Sequence, residues 1–236
     1  MSSSIYAALG RQQGLAKEIE VVANNLANSS TVGYKAERSI FVEYITSAGE
    51  NAPSVSMGTL GAHAFELSQS ALKFSGGQFD FALQGEGYFQ IQTDQGVRLS
   101  RAGSFQLSEE GLLTDPFGNP VLGFGGPITI PEDATSIEVG GDGVISANGQ
   151  LIDQFALVVP NGNMQRDSNT MFTSPAGTEQ AENVTMIQGA LEQSNVSPVL
   201  EMARMIEVQR AYEAGQSMLE REDRRVQQII TAIRDR

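Results

Sequence analysis

The 236-residue chain has no cysteine, no tryptophan and a single histidine, His63. The missing cysteines exclude disulfides, thiolate nucleophiles and cysteine-ligated zinc together. Any catalytic triad or histidine-bearing metal site would have to be built around His63. That residue lies in a Gly/Ala-rich stretch and reads as a surface or loop position. No HExxH, GxSxG, Walker A or dinucleotide-binding glycine fingerprint occurs. The glycines of FGGP and VGGDG lack the strand-to-helix switch that cradles phosphate. GGDGVISANG faintly resembles one turn of a calcium β-roll, but the repeat is missing. Glu109-Glu110 and Glu132-Asp133 read as solvated turns. The expected catalytic, cofactor-binding and metal residues are therefore none, and the chain is expected not to be an enzyme.

Two further scarcities narrow the class. No run approaches 18 apolar residues, so no membrane insertion is expected. The first residues, MSSSIYAALGRQQG, lack the basic and apolar regions of a secretory signal peptide and are not read as one. Basic residues are also few: 15 Lys and Arg stand against 28 Asp and Glu, a net charge of −13. Residues 1–45 hold four of each sign and residues 198–236 seven of each, so the acidic excess lies wholly in 46–197, with four basic and 17 acidic groups. An acidic middle repels nucleic acid and anionic membranes. Neutral ends can meet copies of themselves without net repulsion, although acidic surface also serves solubility.

What is present is a pattern of two long helices flanking a β-rich region. Ile5, Leu9, Gln12, Ala16, Ile19, Ala23 and Leu26 recur at spacings of four and three, a heptad seam predicting a helix over about Ser4 to Asn28. It is followed by VVANNLANSSTVGYKA (21–36), in which Asn24, Asn25 and Asn28 end the helix and Gly33 is free to take φ > 0. Ser197-Pro198 reads as an N-cap with proline at the first helical position. From there Met202, Met205, Gln209, Tyr212, Gln216, Leu219, Asp223, Val226, Ile230 and Ile233 keep the same spacing, and a neighbouring seam runs through Val208, Tyr212, Gly215, Leu219, Val226, Ile229 and Ile233. That face is broad. A two-stranded coil covers only a narrow seam, so the rest calls for other copies. The predicted assembly interface is Ile5, Leu9, Ile19, Val22, Leu26, Met202, Met205, Ile206, Tyr212, Leu219, Val226 and Ile230. Gly33 and Gly215 are candidates for close backbone approach.

Between the helices the period falls to two. DFALQGEGYFQIQ alternates, DPFGNP (115–120) is a dense turn signal, and Asn148-Gly149 is a strong hairpin signal. The expected fold class is α+β: long terminal helices paired as an antiparallel coiled coil, with an antiparallel β-rich central domain. Residues 1–30 and 198–236 form the helical domain, 76–181 the β domain, and 31–75 and 182–197 connect them. YKAERSIFVEYITS (34–47) fits either a helix or a strand, and 46–62, rich in Ser, Ala and Gly, reads as loop. On pattern alone, a secreted β-rich adhesin or phage-tail-like protein remains open.

VVANNLANSSTVGYKA, FALQGEGYFQIQ, RLSRAGSFQLSEEGLLTDPFGNPVLG and SNVSPVLEMARMIEVQRAYEAGQSMLEREDRRVQQI, in that order, resemble the bacterial flagellar axial proteins of rod and hook. Within that family the chain is most similar to the proximal rod type, with the distal rod type as nearest rival. The resemblance implies a structural subunit that polymerises helically into a hollow drive shaft crossing the periplasm from motor to hook. In it, the terminal helices would form the inner tube and the β domain would face outward. It further implies partners among copies of itself, other rod proteins and the flagellar export apparatus, with a place in the basal body. Asn24, Asn25, Asn28 and Gly33 would then set the helix exit.

Overall fold

The computed structural model describes residues 2–46, 55–168 and 170–234, with side chains for all of these save 2–7 and 41–62. The fold is α+β. An N-terminal helix is followed by a β-rich region and a C-terminal helix, and the chain divides into two compact units. The first comprises 1–27, 36–66 and 196–236; the second comprises 28–35 and 67–195.

In the first unit, helix α1 spans Ser2–Ala27 and helix α2 spans Pro198–Arg234. The start of α2 follows its sequence signal. The Ser197 carbonyl accepts from Glu201 N at 3.0 Å, and Pro198 stands where a helix has no use for an N–H. Between the helices in sequence lie β1 (Glu37–Thr46) and β2 (Val55–Phe65), an antiparallel hairpin. Residues 37–46 are thus strand, in keeping with the β-branched and aromatic content of ERSIFVEYIT. Residues 55–62, expected as loop, are strand as well. Cross-strand pairing overrides the weak propensity of Gly58 and Gly61, and the register shift at Ile40/Phe41 skips Gly61 as a bulge. The loop expectation for 47–54 falls outside the described residues. His63 is exposed and its Nδ1 lies 2.5 Å from Glu37 Oε1.

The heptad seam predicted on α1 is covered only in part. Its members Gln12 (buried) and Ala16, Ile19 and Leu26 (half-buried) are covered, but Leu9 is 44% exposed and Ala23 is exposed, whereas Gly14, Glu18, Val21, Val22 and Asn25, outside the seam, are buried. The reason is that α1 has two neighbours, α2 and the β1–β2 hairpin, so its buried positions cover more than one face. On α2 the covered edge runs through Glu201, Arg204, Val208, Tyr212, Gly215 and Leu219. This is nearer the neighbouring seam than the one through Met202, Gln209 and Gln216, all exposed.

The second unit is built from short antiparallel strands. β3 (Leu72–Phe74) pairs with Ala190–Glu192, and β4 (Phe81–Gln84) pairs with Thr185–Gln188. Residues 182–197, expected to connect, therefore contain two strands. A four-stranded sheet is ordered Gln165–Arg166, Met171–Thr173, β6 (Gly96–Ser100) and β5 (Phe89–Thr93). At 147–150 the strands Val144–Ala147 and Gln150–Gln154 turn through Asn148 and Gly149, with φ of 52° and 79°. Both being positive, this is the hairpin turn that the Asn-Gly pair favours. In DPFGNP the buried Asp115 carboxylate accepts from Phe117 N (2.9 Å), Asn119 N (2.8 Å) and Asn119 Nδ2 (2.9 Å), which fixes the turn.

The core of this unit is aromatic. Phe81, Phe89, Phe105 and Phe155 surround one another with ring centroids 5.1 to 6.4 Å apart. Leu83, Ile91, Leu113, Val121, Ile128 and Ile145 complete it. Truncating Phe155 opens a cavity that rings held by several strands cannot close. Phe155→Ala should lower the unfolding free energy by about 3–5 kcal/mol in urea titrations; a loss below about 1 kcal/mol would mean that the cluster is not the core of the unit.

Candidate assembly site

The helix-exit motif is divided between the two units. Asn24 is exposed, while Asn25 is buried in the first unit and engages both backbone groups of Glu37. Its Nδ2 donates to the Glu37 carbonyl at 2.8 Å, and Glu37 N donates to its Oδ1 at 2.9 Å. The side-chain amide thus acts as a short extra strand against the first residue of β1. An aspartate would lack the donor and a leucine would lack both groups. In the second unit, the Asn28 carbonyl accepts from Thr31 N at 3.1 Å and its Oδ1 accepts from Thr31 Oγ1 at 3.2 Å, closing a tight turn. Gly33 has φ of 69°. A Cβ there would collide with the backbone at Arg101 and Ala102, so the position requires glycine for space as well as for conformation.

What holds the end of this segment is a buried ionic network absent from the sequence expectations. Lys35 and Glu192 are both 0% exposed at the side chain. Lys35 Nζ donates to Glu192 Oε1 and to the Ser68 carbonyl, each at 2.7 Å. Ser70 N donates to the same carboxylate oxygen at 3.0 Å. The second oxygen accepts from Arg101 Nη1 at 3.3 Å, and Arg101 Nη2 donates to the Gly85 carbonyl at 2.6 Å. Gly33 N donates to the Glu192 carbonyl at 2.8 Å. Beside it Tyr34 is buried under the Arg166 guanidinium, 4.5 Å from its ring centroid, and Arg166 also donates to the Lys35 carbonyl. A usable signal did exist. Residues 46–197 contain only four cations, Lys73, Arg98, Arg101 and Arg166. Arg101 and Arg166 serve this anchor, and Arg98 pairs with Asp167 at 2.8 Å.

Arg101 also stacks over Tyr88, 5.1 Å from the ring centroid. Burial raises the Tyr88 phenol above its ordinary value of 10.0, and the Arg101 cation opposes that shift only in part.

The predicted interface residues fall into three groups. Val22 is buried within the first unit. Ile19, Leu26, Met205, Tyr212 and Leu219 are half-buried there. Leu9, Met202, Ile206, Val226 and Ile230 are exposed. The side chain of Ile5 lies outside the described residues. Between the helices, Gln12 Nε2 donates to the Tyr212 carbonyl at 2.9 Å, and Arg204 donates to Glu18 from Nε at 3.0 Å and from Nη2 at 2.8 Å. A Cβ at Gly215 would occupy the place of the Gln12 amide. As the contacts advance along α1 from 12 to 18, they retreat along α2 from 212 to 204. The two helices therefore meet antiparallel, in a register set by polar groups.

Three family models match the chain: "Flagella basal body rod protein" over residues 5–35, "Flagellar hook protein FlgE/F/G D1 domain" over 82–147 and "Flagellar basal body rod FlgEFG protein C-terminal" over 187–232. The flagellar basal-body rod protein FlgF of Mesorhizobium japonicum is 36% identical over 219 residues, 90% of each chain. The chain belongs to the flagellar basal-body rod protein family. Other rod proteins similar to it are FlgF of Caulobacter vibrioides, 34% identical over 93% of each chain, and FlgG of Bacillus subtilis, 30% identical over 98% of each. In this rod protein both the NNLAN knot and the network residue Lys35 fall within the first matched stretch, and Glu192 and α2 up to 232 fall within the last.

Two outcomes follow. Lys35→Met leaves a buried carboxylate with one cation fewer and should destabilise the second unit by about 3–5 kcal/mol. Against Glu192→Gln, a double-mutant cycle in urea should return a large coupling; additive losses would deny the pairing. Because the Tyr88 phenol is raised in the folded state, its contribution is complete below the unfolded value of about 10 and is lost as pH rises toward the folded one. Stability of the wild type should therefore fall above pH 10 more steeply than that of Tyr88→Phe in alkaline unfolding curves.

Proposed function

We propose that this chain is a structural, non-enzymatic subunit of the proximal part of the flagellar rod. It polymerises helically with copies of itself and with other rod proteins into the hollow shaft that carries torque across the periplasm to the hook. It reaches that site through the flagellar export apparatus. Its terminal helices work as an antiparallel coiled coil whose outer face meets neighbouring subunits. The assembly residues are Leu9, Met202, Ile206, Val226 and Ile230 on that face, with Ile5, Ile19, Val22, Leu26, Met205, Tyr212 and Leu219 forming or supporting the pair. Asn24, Asn25, Asn28 and Gly33 direct the chain away from the helix.

One observation carries this reading. α2 spans 37 residues yet buries only Glu201 and Val208, leaving Val199, Leu200, Met202, Ile206, Met218, Ile229, Ile230 and Ile233 exposed. An apolar face of that length marks a surface used for association. Family membership supports the identity of the assembly, and the higher identities to the FlgF-type relatives than to the B. subtilis FlgG favour the proximal position.

Met202→Asp and Ile206→Asp alter exposed positions and should leave the stability of the isolated chain within about 0.5 kcal/mol. In a strain whose own copy is deleted, each should abolish swimming and yield basal bodies without a completed rod. Normal swimming with either variant would refute the assignment of this face.

A further inference from the structure

The Asn-Gly step occurs twice in the chain, at Asn148-Gly149 and at Asn161-Gly162. Besides favouring a turn, this step is open to a covalent change. Glycine has no Cβ to shield its nitrogen. That nitrogen can therefore attack the side-chain carbon of the asparagine before it, once the two come within about 3.5 Å. Neither Gly149 N nor Gly162 N donates a hydrogen bond among the described residues, so the nucleophile is equally free in both. The difference lies in the amide under attack.

The Asn148 side chain is clamped at both ends. Its Oδ1 accepts from Thr135 N at 3.0 Å, Thr135 Oγ1 at 2.9 Å and Ser136 N at 3.2 Å, and its Nδ2 donates to the Asp133 carbonyl at 3.1 Å. Closing a ring onto Gly149 N would break all of these. The Asn161 side chain makes a single hydrogen bond, from Nδ2 to Glu179 Oε1 at 3.2 Å in an exposed place. Its backbone is tied by Asn161 N to the Gly177 carbonyl at 3.0 Å and by Ser174 Oγ to its own carbonyl at 3.5 Å. Those ties leave the side chain free to turn. Exposure alone would choose the other step, since Asn148 is exposed and Asn161 half-buried.

We propose that Asn161 is a site of spontaneous deamidation, while the fold shields Asn148. The Gly162 nitrogen gives its proton to solvent hydroxide and attacks Asn161 Cγ. The N–Cγ bond forms, the Cγ–Nδ2 bond breaks, and Nδ2 leaves as ammonia with a proton from water. A second water opens the cyclic imide at either carbonyl, giving aspartate or isoaspartate. Nothing is oxidised or reduced. The new carboxylate stands beside Glu179 in place of a donor, and isoaspartate routes the backbone through the side chain. Both loosen the end of the antiparallel pair Val158–Pro160 and Thr178–Gln180. The first of these strands also exchanges hydrogen bonds with Tyr88, at 2.8 and 3.1 Å, so the change reaches the edge of the anchor. Each conversion adds one negative charge, and the converted fraction records the age of the copies. The site is independent of the rod-subunit reading.

The full chain, aged in mildly alkaline buffer and mapped by peptide mass spectrometry, tests this. Asn161 should convert at least about tenfold faster than Asn148, because several more hydrogen bonds must break at Asn148. In urea that unfolds the chain the clamp is gone, and the two rates should come within about threefold of each other. Asn148 converting as fast as Asn161 in the folded chain would overturn the assignment. A preference for Asn161 that persists undiminished in urea would overturn it too, since sequence and not fold would then decide. The variant Asn161→Asp carries the product charge from the start. It should unfold at a lower urea concentration than the wild type, by a margin that shrinks as salt is added; an unchanged midpoint at low salt would refute the loosening.

Discussion

A carboxylate with no access to water governs the second unit. Bringing Glu192 inside costs several kcal/mol unless its charge is answered and its lone pairs are filled. Lys35, Arg101 and Ser70 N do both, reaching it from 157, 91 and 122 residues away in the sequence. The consequences spread from there. Ala190–Glu192 has to lie on β3 in one register for the carboxylate to meet its partners. Tyr34 is carried into the interior beside Lys35. Gly33 then has to pass so close to the backbone at Arg101 and Ala102 that no side chain fits. A one-residue slip in any of these segments would strand a charge, and that penalty makes the arrangement unique.

The first unit solves a different problem by related means. Its helices meet through Gln12 on the Tyr212 carbonyl and Glu18 on Arg204, while much of the apolar surface of α2 faces outward. Polar contacts tolerate register errors poorly, so they fix how the helices align. The apolar side chains remain available for association, where area matters more than direction. That division suits a rod subunit, because an alignment error inside one copy is repeated in every copy.

The sequence was most legible where local chemistry decides structure. The Ser197-Pro198 start of α2, the Asn148-Gly149 hairpin and the DPFGNP turn all stand as read, because each depends on groups within a few residues of one another. Met202 and Ile206, the residues proposed for the interface, were nameable for a similar reason: an exposed apolar stripe leaves its period in the sequence. Legibility failed where partners are remote. A heptad count on α1 assumes one neighbour, and the hairpin supplies a second, so Leu9 and Ala23 of the counted seam are exposed while Glu18 and Val22, outside it, are buried. The strand at 55–62 is made by pairing with β1 rather than by its own Gly- and Ala-rich composition. Lys35 and Glu192 carry no local mark of being joined; only the scarcity of cations in the acidic middle, where Arg98, Arg101 and Arg166 are all engaged, pointed that way.

Glu192 locks the VGYK end of the knot into the second unit. Native-state hydrogen exchange at the Gly33 amide, which donates to the Glu192 carbonyl, reads that lock. The amide should open only with global unfolding of that unit, with the same free energy as the β4 amides, and Glu192→Gln should lower both together. Exchange at Gly33 through a low-energy local opening, with the β4 amides still protected, would show that Glu192 does not hold this end of the knot.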